Sequence, residues 1–273
     1  MMKKIIFGIL FLILTLTMKK GFSTEISLPK ELKARAQIIK SKYDDLWEKT
    51  LVITFDHKRK ALSTFEFLRE VRAVINHSAH PEIWKKVCEE RKTKKSLGGR
   101  VYLEKIREKI GKDFNLSTEE IFILGTAADM DNLAVVTKTW GSYVVTALVT
   151  AGAKTNALRA GFDEGNYTEE EKPQGTVNII ILTNKKLRES AMARAIITAT
   201  EAKTAAFQDL KVPSSYNPQV QATGTGTDNI IIVSGEEPPE ITYTGGHSKI
   251  GELIAKAVYQ AVKEALIKQN HFK

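Results

Sequence analysis

Residues 222–233 read Ala-Thr-Gly-Thr-Gly-Thr-Asp-Asn-Ile-Ile-Ile-Val. A Gly/Thr loop carrying one acid, Asp228, runs directly into four apolar β-branched residues, Ile230 to Val233. Glycine permits tight turns and close backbone approach to a ligand. An unbroken apolar run of this length is the pattern of a buried strand. A shorter echo stands upstream at Gly175-Thr176-Val177-Asn178-Ile179-Ile180-Ile181-Leu182. Two such loops feeding two buried strands predict one site built at the end of one sheet. Taken singly, each also reads as an ordinary turn before a strand, because short glycine motifs are weak signals.

Outward from these strands, Tyr143 to Thr150 gives a third, closed by Ala151-Gly152-Ala153, and Leu51 to Phe55 a fourth. A further strand is predicted to begin at Ala61, with His57 in a hairpin turn among Lys58, Arg59 and Lys60. Helical spacing of Leu32, Ala36 and Ile39 predicts a helix over 29–47. Residues 82–120 read as charged and mostly helical, broken at Ser96-Leu97-Gly98-Gly99, and Ser117 and Glu120 have the spacing of a capping box that opens a helix. The span 162–172 is an acidic loop. Residues 187–210 carry a core-facing stripe (Ala191, Ala195, Ile196, Ala199, Ala202, Ala206, Phe207), and 250–268 form the last helix. Gly235 to Pro239 reads as a turn, followed by a short strand Ile241–Thr244. The pattern predicts one α+β domain over 24–273, layered, with a mixed, partly antiparallel sheet covered by helices.

Residues 1–23 have the form of a secretory signal peptide: Lys3-Lys4, an apolar run from Ile5 to Met18, then Gly21 and Ser23 near a cleavage point. The run is short beside the roughly 20 residues of a membrane span. The expectation is export to the periplasm or another extracytoplasmic space. The alternative, suggested by Lys19-Lys20, is an uncleaved anchor at residues 5–18 holding the protein to the inner membrane. Cleavage after Ser23 would remove four lysines and no acids, taking the net charge from +9 to +5. No basic stripe interleaved with aromatics argues for nucleic acid. One cysteine, Cys88, excludes an internal disulfide framework. The histidines show no zinc spacing, and His77 and His80 lack a third ligand, so no protein metal site is expected. Oligomeric state is not encoded in any readable feature.

From about Ala127 to Leu266 the chain resembles the adenosylcobinamide amidohydrolase family of corrinoid salvage. The likeness rests on Ala127-Ala128-Asp129-Met130-Asp131-Asn132, Val149-Thr150-Ala151-Gly152 with Asn156-Ala157, and Arg159-Ala160-Gly161. It continues in Gly175-Thr176-Val177-Asn178, Thr200-Glu201-Ala202-Lys203-Thr204, Gly224-Thr225-Gly226-Thr227-Asp228 and Gly246-His247. Leu62-Ser63-Thr64 and Asn76 correspond to early family positions, but Phe65 to Arg72 replaces an expected glycine-rich stretch. The resemblance implies hydrolysis of the amide joining the cobyric acid moiety to the aminopropanol arm of a corrinoid. It implies no cofactor held by the protein, since cobalt belongs to the substrate.

Amide hydrolysis needs a nucleophile or activated water, donors for the developing oxyanion, and an acid for the leaving amine. On this reading His247 is the general base, oriented by Asp228. Asn156, Lys203 or the amides of the Gly224, Thr225, Gly226, Thr227 loop stabilise the oxyanion. Glu201 orients Lys203 or replaces His247, while Arg159, Gly175, Thr176 and Asn178 complete the substrate pocket. The loops 156–161, 175–178, 223–228 and 245–248 are expected to meet. A second mechanism makes Thr176 an N-terminal nucleophile released by self-cleavage. Two further readings stay open: an exported corrinoid-binding protein without turnover, and a hydrolase of another secreted amide.

Overall fold

In the computed structural model, which describes residues 23–94, 98–165 and 175–272, the β-branched runs become strands. The chain begins with β1 (Ser23–Ile26), β2 (Ala34–Tyr43), β3 (Leu46–Ser63) and β4 (Phe67–Ala79). Helices α1 (Pro81–Lys94) and α2 (Gly98–Phe114) come next, then β5 (Ile121–Thr126), β6 (Ala134–Trp140), β7 (Tyr143–Ala151) and the short β8 (Ala157–Leu158). The C-terminal part holds β9 (Val177–Thr183), β10 (Lys185–Leu187), α3 (Glu189–Asp209), β11 (Gly224–Thr225), β12 (Asn229–Val233), β13 (Glu237–Ile241) and α4 (Lys249–Asn270).

The main sheet runs β1-β2-β3-β12-β9-β7-β6, with β4 along the other edge of β3 and β5 beside β4. It is mixed: β12 and β9 are parallel, as are β4 and β5, and the remaining pairs are antiparallel. The β3–β4 register slips between Thr54 and Arg59, and the sheet curls so that its two halves face each other. Alternate residues of a strand point to opposite faces, and the core obeys that rule. Leu148, Ile180, Leu182, Ile231 and Val233 point inward and meet Leu51, Ile53, Val74, Phe122 and Leu124 from the other half. Val145, Val149, Ile179, Ile181 and Ile232 point outward onto α3 and α4. Ile75, Ile121 and Ile123 point outward onto α1 and α2. The result is four layers, helices–sheet–sheet–helices. Burial on both faces is why β9 and β12 read as continuous apolar runs rather than alternating ones. Ala195, Ala199, Ala202 and Ala206 of α3 share a core with Ala257, Ala261 and Ala265 of α4, small side chains that let two helices lie close.

Several sequence expectations change. Residues 29–47 are not a helix: β2 pairs with β3 over ten positions, from Ala34↔Phe55 to Tyr43↔Leu46. His57 is not in a hairpin turn, because β3 continues through it to Ser63. Glu120 accepts from the Ser117 amide at 3.1 Å, but the capped segment is a single 3-10 turn, Thr118–Glu120, that passes straight into β5. Residues 237–241, and not 241–244, form the late strand, with Pro238 and Pro239 inside it. A two-stranded pair with β10 tolerates them, since prolines are accepted on sheet edges. The signal or anchor segment 5–18 lies outside the described residues, as do Ser96 and Leu97 and most of the 162–172 loop. Among the described residues no helix is long and apolar enough to cross a membrane.

His77, on the outer face of β4, is completely buried in a polar chain between sheet and helix. Its Nδ1 lies 2.8 Å from Thr50 Oγ1 and its Nε2 2.8 Å from the Tyr102 hydroxyl. The Tyr102 hydroxyl donates to Glu48. Tyr102 therefore accepts from Nε2–H, which leaves Nδ1 to accept from Thr50. With both ring nitrogens engaged, His77 is not placed as a metal ligand. Burial, with Lys109 nearby, pushes its pKa down to about 3; burial and the Glu48 bond push the Tyr102 phenol above its usual range.

The layered packing can be tested at two points. Ile180→Ala, at the centre of the inter-sheet core, is expected to cost about 2–5 kcal/mol in urea unfolding. His77 stays neutral in the folded protein down to about pH 3, whereas in the unfolded chain it protonates near pH 6.5. The unfolded state thus binds the extra proton between those values, and stability is lost progressively as pH falls from 6.5 toward 3. The loss is on the order of 4 kcal/mol. Urea midpoints at pH 7, 5 and 4 should fall steeply for the native chain and less steeply for His77→Gln.

Candidate active site

The Asp228 carboxylate stands just before β12 and takes up donors from three directions. Oδ1 accepts from the Val177 amide at 3.0 Å and from Thr225 Oγ1, while Oδ2 accepts from the Thr225 amide at 3.1 Å and from Lys203 Nζ on α3. Lys203 and Asp228 form a largely buried ion pair. A Cβ on Gly224 would overlap Lys203 Nζ and Asp228 Oδ2, so the glycine that opens the loop exists to let this pair close.

The neighbouring loop delivers Asn156, which is buried. Its Nδ2 donates to the Gly175 carbonyl at 3.0 Å and more weakly to Thr227 Oγ1 at 3.4 Å. Its Oδ1 accepts from the Tyr216 hydroxyl at 3.1 Å, which fixes the amide orientation. Thr227 Oγ1 also donates to the Gly175 carbonyl, at 2.7 Å. Thr176 is buried, and its hydroxyl donates to the Thr227 carbonyl. The 152–158, 175–178 and 223–228 segments are thereby tied together, with β8 and β11 paired between them.

Behind this layer, the inward face carries polar residues where the apolar core stops. Asn178 Nδ2 donates to Asn76 Oδ1 at 2.9 Å and to the Gly125 carbonyl at 3.0 Å. Asn76 donates in turn to Thr150 Oγ1 at 2.9 Å. Asn178 Oδ1 is buried without a hydrogen-bond partner, an acceptor that an apolar site would not keep. On the facing half, Lys49 Nζ meets Asp129 at 2.5 Å and Asp131 at 2.6 Å. Burial lowers the Lys49 pKa, but its bonds to the two aspartates outweigh that and leave it raised. The C-terminus of α4 closes this end: Gln269 accepts from the Asp129 amide and Asn270 from the Ala153 amide.

Arg159 lies at the rim, its guanidinium on the Gln221 carbonyl and its amide held by Asp163. Glu201 is exposed on α3, and the acid that engages Lys203 is Asp228 instead. His247 does not join the cluster. Thr244 bonds Ala191 and Thr198 near the start of α3, and His247 stacks against Tyr243. From there α4 runs 22 residues to the Asp129–Ala153 end, about 33 Å at 1.5 Å per residue. The 245–248 loop is therefore at the opposite end of the sheet from 156–161, 175–178 and 223–228. The other motifs that carried the family resemblance gather at that one end of the layers, a polar mouth with the Lys203–Asp228 pair on its α3 side and Asn76, Thr150 and Asn178 between the sheet halves. Tyr216 and Lys49 belong to the mouth without any local motif to mark them, since their partners are 60 and 80 residues away. Among the described residues there is no group of three or more His, Cys, Asp and Glu side chains arranged to hold a metal.

Comparison with known proteins supplies the family. The model of the adenosylcobinamide amidohydrolase family matches residues 30–273. An uncharacterised protein of Methanocaldococcus jannaschii is 46% identical over 239 residues, covering 82% of this chain and 88% of that protein. A Methanosarcina mazei protein named adenosylcobinamide amidohydrolase is 33% identical over 172 residues, 60% of this chain and 74% of the other. Among solved structures, the PH0078 protein of Pyrococcus horikoshii aligns with a TM-score of 0.45 at 12% identity, covering 86% of this chain and 84% of that one.

The ion pair gives a direct test. Asp228→Ala leaves the Lys203 ammonium buried without its partner, and should cost about 3–5 kcal/mol in urea unfolding. Lys203→Met with Asp228→Leu should recover only the part of that loss that comes from the unpaired charge, because the Val177 and Thr225 donors still lose their acceptor.

Proposed function

The chain belongs to the adenosylcobinamide amidohydrolase family, and we propose that it hydrolyses the amide between the cobyric acid moiety and the aminopropanol arm of adenosylcobinamide or a related corrinoid. The observation that carries this reading is the convergence of the family's motifs from six separate segments on one polar mouth. That mouth holds what amide hydrolysis asks for. Asn156 Nδ2 and Thr227 Oγ1 aim at one point, and both are donors of the kind that hold a developing oxyanion. Lys203 supplies positive charge held by Asp228, the residue next to Thr227. Phe162, 62% exposed in the turn after Arg159, offers apolar surface at the rim for a broad, flat ligand. The cobalt is the substrate's own and takes no part in holding the protein together. The signal-like residues 1–23 favour action on corrinoids outside the cytoplasmic membrane.

Incubating the purified chain with adenosylcobinamide, and separating the products by chromatography and mass, should yield cobyric acid and aminopropanol in equal amounts. Bound but uncleaved corrinoid would replace this reading with a binding protein, and turnover of simple amides alone would point to another substrate. Asn156→Ala is expected to lower kcat by ~100-fold or more. His247→Ala, remote from the mouth, should leave kcat within about two-fold of the native value, where a general base would cost ~100-fold.

A further inference from the structure

We infer that the chain cuts its own backbone between Gly175 and Thr176, and that Thr176 is thereby exposed as the N-terminal nucleophile of the site. Gly175 has φ +112°, a conformation open to glycine and strained for other residues. A Cβ there would sit 3.0 Å from Asn156 Cβ and 3.2 Å from the Gly152 carbonyl. The carbonyl of this glycine accepts from two side chains at once, Asn156 Nδ2 at 3.0 Å and Thr227 Oγ1 at 2.7 Å. Two side-chain donors on one carbonyl oxygen, at these distances, form the arrangement that stabilises an oxyanion. The next residue supplies a hydroxyl, and its proton already points at an acceptor, the Thr227 carbonyl.

The chemistry closes without any reagent beyond water. Thr176 Oγ1 attacks the Gly175 carbonyl carbon through a five-membered ring, so proximity is built into the covalent chain. The negative charge gathers on the oxygen held by Asn156 and Thr227. The C–N bond then breaks, the hydroxyl proton passes to the amide nitrogen, and Gly175 is left joined to Thr176 through an ester. Water hydrolyses the ester, giving a Gly175 carboxylate and a Thr176 that carries both a free α-amine and its hydroxyl. Such a threonine is an activated nucleophile, its amine serving as base for its own hydroxyl. Departure of the Gly175 carbonyl frees Asn156 and Thr227 for a second carbonyl, that of the substrate amide. This last step rests on the amidohydrolase reading; the self-cleavage does not.

Intact mass and N-terminal sequencing of the purified full chain provide the test. The expected result is a C-terminal fragment running from Thr176 to Lys273, formed without added protease, with Thr176→Ala remaining whole. Asn156→Ala and Thr227→Val should slow the conversion of precursor by about 10-fold or more, with circular dichroism confirming that each variant is folded. A native chain that stays intact would overturn the inference. So would cleavage at another bond, or equal cleavage of Thr176→Ala, since either marks external proteolysis. The two readings fail separately: a cleaved chain inert toward adenosylcobinamide removes the proposed substrate, whereas turnover by an intact chain removes the self-cleavage.

Discussion

The Asp228 carboxylate is the fastening on which the mouth depends. Four donors reach it: two from its own loop, one from the first residue of β9, and one from the middle of α3. Hydrogen bonds to an ionised carboxylate are stronger than neutral ones, and here they lock a loop, a strand and a helix to a single side chain. A buried ion pair contributes little net stability against an apolar substitute, but breaking one side of it is costly. The pair thus fixes position more than it adds stability, and position is what a row of converging loops requires.

The four layers explain why there is such a mouth at one end. Where β7 ends and β9 and β12 begin, the inward residues change from Leu148, Ile180 and Ile231 to Thr150 and Asn178. The facing half changes in step, from Val74 to Asn76. The matched amides let polar groups lie at that edge of an apolar interior, because each finds a partner there. The uncommitted Asn178 acceptor lies on this boundary.

Much of this architecture is legible in the chain. The runs at 177–182 and 230–233 are strands because both faces are buried, and the alanine stripe of 191–206 is a helix packed on a helix. The Gly-Thr loops do meet, as their repetition suggests. The elements that local pattern misplaces are those whose fate is decided elsewhere in the fold. Residues 34–39 fit helical spacing and strand alternation equally well, and ten pairings with β3 decide for the strand. His247 comes only 19 residues after Asp228, yet the direction in which α4 leaves its N-terminus carries it to the far end. The capping box at Ser117 and Glu120 is real as local chemistry, but a cap does not fix the length of the segment it opens.

That displacement of His247 sharpens the chemical question. The hydrogen-bond partners of Asn156, Thr176, Thr227, Lys203 and Asp228 include no histidine among the described residues. His77 is sealed behind the sheet, neutral, with both nitrogens engaged. Asp228 is a poor substitute, because its two oxygens already serve four donors and neither is free to take a proton from an attacking hydroxyl or water. For the proposed reaction a base must nevertheless act beside Asn156 and Thr227, which now hold the Gly175 carbonyl. The α-amine that the proposed cut before Thr176 releases would arise at that place, attached to the hydroxyl it would activate. The same two donors that now grip the chain's own carbonyl would, on that proposal, next grip the substrate's, and one arrangement of Asn156 and Thr227 would serve both the maturation of the site and its turnover.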